Sequence, residues 1–344
     1  MPAHVSEPVT VLPAHKITTA EIREDVRSRH RHHPRLSVIL RIIDGCGVAE
    51  RHFTRSFAEA VAATGVRRRM DAAFRDASAM AADAARRALD NSGLTAADVD
   101  VVITSHTTSW AVPNLDVHLV AALGLRPEVT RIPLTSLACA GGAQALVRAA
   151  DQLRARPGAR VLVVVAEVLS TIYHQDEDSL ESMIYKALFG DSAGACVVTD
   201  VPRGPGLAVE DTFECVLPDS LDRYRGRVDA AGLHFDSTKK APAAPGEAMR
   251  HLLGWLGKWR PVFAVVHPGG PRIVADTVAS LGLGPEGGRH SLDSLRENGN
   301  LGGNAVLDVL RRTHALPPAP GAEGLMVAFG PGFAVAGVRG RWHH

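Results

Sequence analysis

Two segments far apart in the chain follow one pattern. CAGGAQAL begins at Cys139 and NLGGNAVL begins at Asn300. In each, one polar side chain is followed by x-Gly-Gly and then by helix-forming residues. Each also lies between two short apolar runs that read as strands. VVIT (101–104) precedes Cys139 by 35 residues and FAVV (263–266) precedes Asn300 by 34, with VLVVV (161–165) and LMVAF (325–329) following. Agreement in both order and spacing marks a duplicated unit. Pseudo-twofold symmetry would bring the two helix starts to a common centre, and ligands in such sheets gather beyond the carboxyl ends of the strands.

The remaining pattern is consistent with α/β architecture. Ala77–Leu89 is alanine-rich and is followed by a turn at Asn91–Gly93, so it is expected to be helical. Val101–Thr104, Val161–Val165, Cys196–Thr199 and Phe263–Val266 are short and largely β-branched or apolar, as strands buried on both faces are. VPRGPG (201–206) reads as the joint between residues 1–200 and 201–344. RSRHRHHPR (27–35) is expected to be a solvated helix end broken at Pro34, and RGRWHH a frayed terminus.

Charge and composition exclude several functions. Lys+Arg number 38 against Asp+Glu 37, which leaves no basic excess for a nucleic acid. The run Val161–Ala166 is far too short to cross a bilayer, and the first residues lack the basic-then-apolar order of a signal peptide. Four cysteines without a C-x-x-C pair indicate neither a disulfide framework nor zinc, and fit a reduced, cytoplasmic protein. No dinucleotide fingerprint is present, and no metal or redox cofactor is expected.

At the centre, Cys139 would lie at a helix N-terminus, where the macrodipole favours thiolate. Gly141 and Gly142 would keep that helix start slim. His267 would arrive from a strand end and could take the thiol proton. His267 and Asn300 can both donate to an oxygen gaining negative charge, such as a thioester enolate. Cys139 as a small buried side chain remains an alternative at this point.

These residues resemble the type III polyketide synthases, bacterial relatives of chalcone synthase with a thiolase fold. The resemblance runs from about Thr10 to Arg339 and rests on LACAGGA, HPGGP (267–271), ENGNLGGNAV, ALFGDSAGA (187–195), LPDS (217–220), GLHF (232–235) and FGPGFA (329–334). It implies a five-layer αβαβα homodimer with two pseudo-repeated halves. Cys139 would be the nucleophile and His267 and Asn300 its partners, with Phe189 and Phe235 as gatekeepers. Acyl-CoA and malonyl-CoA would be the substrates and a polyketide closed into a pyrone or phenolic ring the product.

Against the family pattern, Gly302 follows Asn300 where small hydroxyl residues are usual, which would enlarge the cavity. Leu169 and Ile172 replace hydroxyl-bearing residues and Trp110 replaces glycine, which would shrink it. Gly226 resembles the family's small lining residue. Of the basic trio that plant members use for coenzyme A, only Arg41 is in register, with Val38 and Gly45 at the other places. Either other cations contact the coenzyme, or an acyl carrier protein delivers the starter. Two rival readings keep the fold and change the chemistry. One is a ketosynthase III-like acyltransferase that never iterates, and the other is a non-catalytic chain-length partner subunit.

Overall fold

The computed structural model describes residues 2–344. In chain order the strands are β1 (Ala3–Val5), β2 (Val9–Val11), β3 (His15–Thr18), β4 (Glu50–Phe53), β5 (Val101–His106), β6 (Thr130–Thr135), β7 (Val161–Glu167), β8 (Ser192–Thr199), β9 (Gly206–Val216), β10 (Tyr224–Val228), β11 (Leu233–Ser237), β12 (Phe263–Val266), β13 (Glu323–Gly330) and β14 (Ala334–His343). The main sheet runs β12-β13-β14-β9-β1-β8-β7-β5-β6, with β2 on β8.

The duplication appears in the pairing. β5 lies parallel to β7, and β7 is antiparallel to β8. In the later half β12 lies parallel to β13, and β13 is antiparallel to β14. Period-two alternation then sorts the strand side chains into layers. Val101, Ile103, Val161, Val163, Met326, Ala328 and Val338 face a core shared with the helices Gly141–Ala155 and Ala305–Ala315. Val102, Leu162, Val164 and Val197 face outward onto the helix Gly65–Asn91. Leu325, Val327 and Val335 face the helices Ala244–Leu256 and Pro271–Ser280. Helix, sheet, helix pair, sheet, helix is the expected αβαβα order.

The two central helices meet at glycine. A β-carbon on Gly142 would sit 2.2 Å from the Gly303 carbonyl oxygen and 2.8 Å from Val306, and one on Gly303 would sit 2.8 Å from the Ala138 carbonyl oxygen. Each glycine is third after its key residue, Cys139 or Asn300. The x-Gly-Gly repeat is therefore a packing requirement that sets how closely the two site residues approach. Gly142→Ala should cost about 1–3 kcal/mol, as overpacked cores do. The check is the urea midpoint, with a fall in turnover beyond the loss of folded protein.

Three expectations are corrected. RGRWHH is not frayed. β14 runs to His343 inside the sheet against β9, and Trp342 is fully buried beside Phe263 and His314. Its polar residues misled because Arg339 and Arg341 face outward to Asp211, Glu210 and Glu323 while Trp342 faces inward. The helix before Pro34 ends earlier than the proline. It spans Thr19–Arg29, and the residues up to Arg35 form exposed and half-exposed turns. The helix expected at Ala77–Leu89 is longer, Gly65–Asn91, because its charged first turns hide the apolar period. No described helix is long and apolar enough to cross a membrane.

Candidate active site

Cys139 sits in a short 3-10 turn, Ala138–Ala140, that leads into the helix Gly141–Ala155. The turn is bent into an unusual shape. Ser136 and Ala138 have φ of 62° and 45°, a left-handed conformation that non-glycine residues adopt at a cost. The Ala138 N–H donates to Thr107 Oγ1 at 2.9 Å, which holds the bend against the end of β5. His267 is the first residue after β12, and its N–H donates to the Val327 carbonyl at 2.9 Å. Asn300 is pinned on both sides of its backbone. It donates to Leu188 O at 2.8 Å and accepts from Gly190 N at 3.1 Å, pairing with Phe189 as an isolated bridge. One backbone contact therefore fixes Asn300 and Phe189 together.

These elements surround a cavity of about 100 Å³ lined by Cys139, His267, Asn300, Phe189 and Phe235. The two phenylalanine rings lie 6.0 Å apart, centroid to centroid. The Asn300 amide has a defined direction. Its Oδ1 accepts from Gly302 N at 2.9 Å, leaving Nδ2 as the free donor. His267 Nδ1 is buried without a partner among the described residues.

Burial opposes each charge here. It pushes the Cys139 thiol up to about 12; the nearby Glu167 charge adds to this, and a hydrogen bond with Asn300 acts the other way. It lowers His267 to about 4. Loss of water therefore works against a lone thiolate at this helix start. The ionised form this pocket can best support is the pair in which a proton has moved from sulfur to imidazole and the two charges cancel.

The other expected residues divide. Leu169 and Gly302 line the cavity and meet each other. A β-carbon on Gly302 (φ +59°) would lie 3.1 Å from Leu169 Cδ1, so the leucine occupies the space that the glycine vacates. Ile172 is buried in the adjoining core with Leu169 and Tyr173, away from the cavity lining. Trp110 is 79% exposed on the loop after β5, which turns outward, and so does not narrow the pocket. Gly226 lies opposite Phe235 in the β10–β11 ladder, and the cavity is lined instead by Tyr224, two residues earlier. Arg41 is exposed on the helix Leu36–Asp44.

Sequence reasoning missed Glu167, Tyr185 and Tyr224. Glu167 ends the fully buried β7, where one carboxylate closing an apolar run was the available signal. Its Oε2 accepts from Thr107 N and Thr108 N, both at 3.2 Å, and Oε1 has no partner among the described residues. Burial raises it to about 7 against those hydrogen bonds. All four cysteines are free, and no metal-binding cluster is found among the described residues.

Comparison with known proteins agrees with this architecture. Residues 54–202 match the model for the N-terminal domain of chalcone and stilbene synthases, and residues 207–341 match the C-terminal domain. The chain is 34% identical to 1,3,6,8-tetrahydroxynaphthalene synthase of Streptomyces coelicolor over 99% of its length and 92% of the relative's. The crystal structure of that synthase superposes with a TM-score of 0.94, covering 99% of each chain. Phloroglucinol synthase of Pseudomonas fluorescens is 32% identical, over 97% of this chain and 98% of the relative. Germicidin synthase of Streptomyces coelicolor, a type III polyketide synthase, gives a TM-score of 0.94 at 33% identity, over 99% of this chain and all of the other.

Proposed function

The chain belongs to the chalcone and stilbene synthase family and is a type III polyketide synthase, and from that premise we propose how its residues share the reaction. The half formed by residues 1–200 supplies the thiol and the half formed by 201–344 the imidazole and the amide. Cys139 gives its proton to His267 and attacks an acyl thioester; the carbon–sulfur bond to coenzyme A breaks, and the imidazolium returns the proton to the departing thiolate. Malonyl-CoA then enters beside Phe189 and Phe235. Their apolar rings exclude water from its carboxylate, which favours the neutral product carbon dioxide. The carbon–carbon bond breaks, and its electron pair passes into an enolate whose oxygen accepts hydrogen bonds from His267 and Asn300 Nδ2. The enolate carbon attacks the acyl–Cys139 carbonyl and the carbon–sulfur bond breaks, so the chain grows by two carbons.

The observation that carries this reading is the convergence of Cys139, His267 and Asn300 on one cavity walled by two phenylalanines. The cavity is smaller than the roughly 300 Å³ at which drug-sized ligand pockets begin. That volume favours a short starter, and a malonyl-derived unit fits the reading. Coenzyme A is the carrier we favour, with the exposed Arg225 at the cavity lining and Arg41 on the helix Leu36–Asp44 as cations for its phosphates. Trp110 and Val112, both 79% exposed on one loop, are apolar surface that a second copy would cover in a homodimer. The four free thiols suit the cytoplasm.

The test is product analysis with malonyl-CoA alone and with a panel of starters. Malonyl-CoA alone should give carbon dioxide and a cyclised polyketide, and long acyl starters should give little. Acyl transfer with no carbon dioxide from any combination would leave the non-iterating acyltransferase in its place.

A further inference from the structure

Behind the two phenylalanines, outside the cavity, lies an ionic cluster that the mechanism does not use. His234 precedes Phe235 on β11, so the two side chains leave opposite faces of the hairpin. The His234 side chain is 3% exposed, and its two ring nitrogens face different carboxylates: Nε2 lies 2.8 Å from Asp229 Oδ1 and Nδ1 lies 2.5 Å from Glu177 Oε1. The ring therefore sits within ion-pair distance of both carboxylates and links them.

Further charged and aromatic groups close the cluster. Arg227 bridges the same two carboxylates at 3.0 and 2.7 Å and reaches Asp236 at 3.1 Å. The His174 ring stacks on His234 at 4.0 Å, with Nε2 2.7 Å from the Leu233 carbonyl, and burial lowers its pKa toward the neutral form. Arg69 of the helix Gly65–Asn91 packs beside His174 next to Gly232. Against burial, a hydrogen bond with Ser182 and the His234 charge hold Glu177 below the usual carboxylate range. Asp229 is held low chiefly by its hydrogen bond to His234.

The position of Glu177 gives the cluster a purpose. Glu177 lies just before the helix Leu180–Leu188, which ends at Phe189. The cluster therefore ties the segment leading to one phenylalanine to the hairpin carrying the other. We infer that His234, held between Glu177 and Asp229, is a positioning residue that sets the spacing of Phe189 and Phe235 and so supports decarboxylation without touching substrate.

This rests on the reading of those phenylalanines as the decarboxylation wall, so the experiment separates the two. In His234→Gln, amide exchange in residues 224–237 should accelerate. Carbon dioxide release from malonyl-CoA should fall at least tenfold at pH 7, while acyl loading of the thiol from an acyl-CoA stays within twofold. Unchanged exchange in 224–237, or unchanged carbon dioxide release with Phe235→Ala impaired, would overturn the inference. Should Phe235→Ala release carbon dioxide at the wild-type rate, the wall reading fails instead, and the exchange measurement still judges the cluster. If His234→Gln does not fold, Glu177→Gln, at a side chain 28% exposed, carries the same test in the same direction.

Discussion

Cys139→Ala is expected to lower polyketide formation by about 10⁴-fold or more, the scale on which removal of a nucleophile acts. The variant should fold normally. Alanine is smaller than cysteine, and the turn is held by the Ala138–Thr107 hydrogen bond and the Gly142–Gly303 contact rather than by sulfur. Its malonyl-CoA decarboxylation should survive, because in the proposed chemistry the enolate oxygen rests on His267 and Asn300 and the thiol takes no part in breaking the carbon–carbon bond. Parallel assays of carbon dioxide and of product check this. Loss of both together would mean that sulfur does more than carry the acyl group, and retention of product would remove it from the mechanism.

His267→Gln should damage both half-reactions. Without the imidazole, Cys139 can lose its proton only to solvent, against burial that places the thiol near 12. Alkylation by iodoacetamide needs thiolate, so in the variant its rate should be very low at pH 7. It should rise about tenfold per unit through pH 10 without a plateau. In the wild type the proton can pass to His267, and alkylation at neutral pH should be far faster. Decarboxylation should fall about 10²–10³-fold with one oxyanion donor gone. Equal alkylation profiles in the two proteins would show that imidazole does not hold the thiol proton.

The sequence made legible whatever is repeated or alternates. The strands β5, β7, β12 and β13 were visible because both of their faces are buried and their residues are largely apolar. The equivalence of Cys139 and Asn300 was visible because each needs a glycine three residues on, where the partner helix touches it. Side chains whose placement depends on loop path were not legible. Gly226 and Tyr224 exchange places according to how many residues the turn at Asp229–Gly232 takes up, and spacing to Phe235 alone does not reveal that. Trp110 looked like pocket bulk until the direction of its loop was known. Leu169 and Gly302 looked like opposing changes, and only their contact shows that one fills the space left by the other. Glu167 was hidden because a charged residue at the end of an apolar strand usually marks its exit to solvent, whereas here the strand ends in a closed cavity.

The central claim is that the sulfur of Cys139 carries the growing chain. The most direct measurement is mass spectrometry of enzyme quenched during turnover and digested with protease. The account predicts an acyl mass on the peptide holding Cys139, increased in proportion when a longer starter is supplied. An adduct on Cys46, Cys196 or Cys215, or product formed with no adduct at Cys139 at any time, would contradict it.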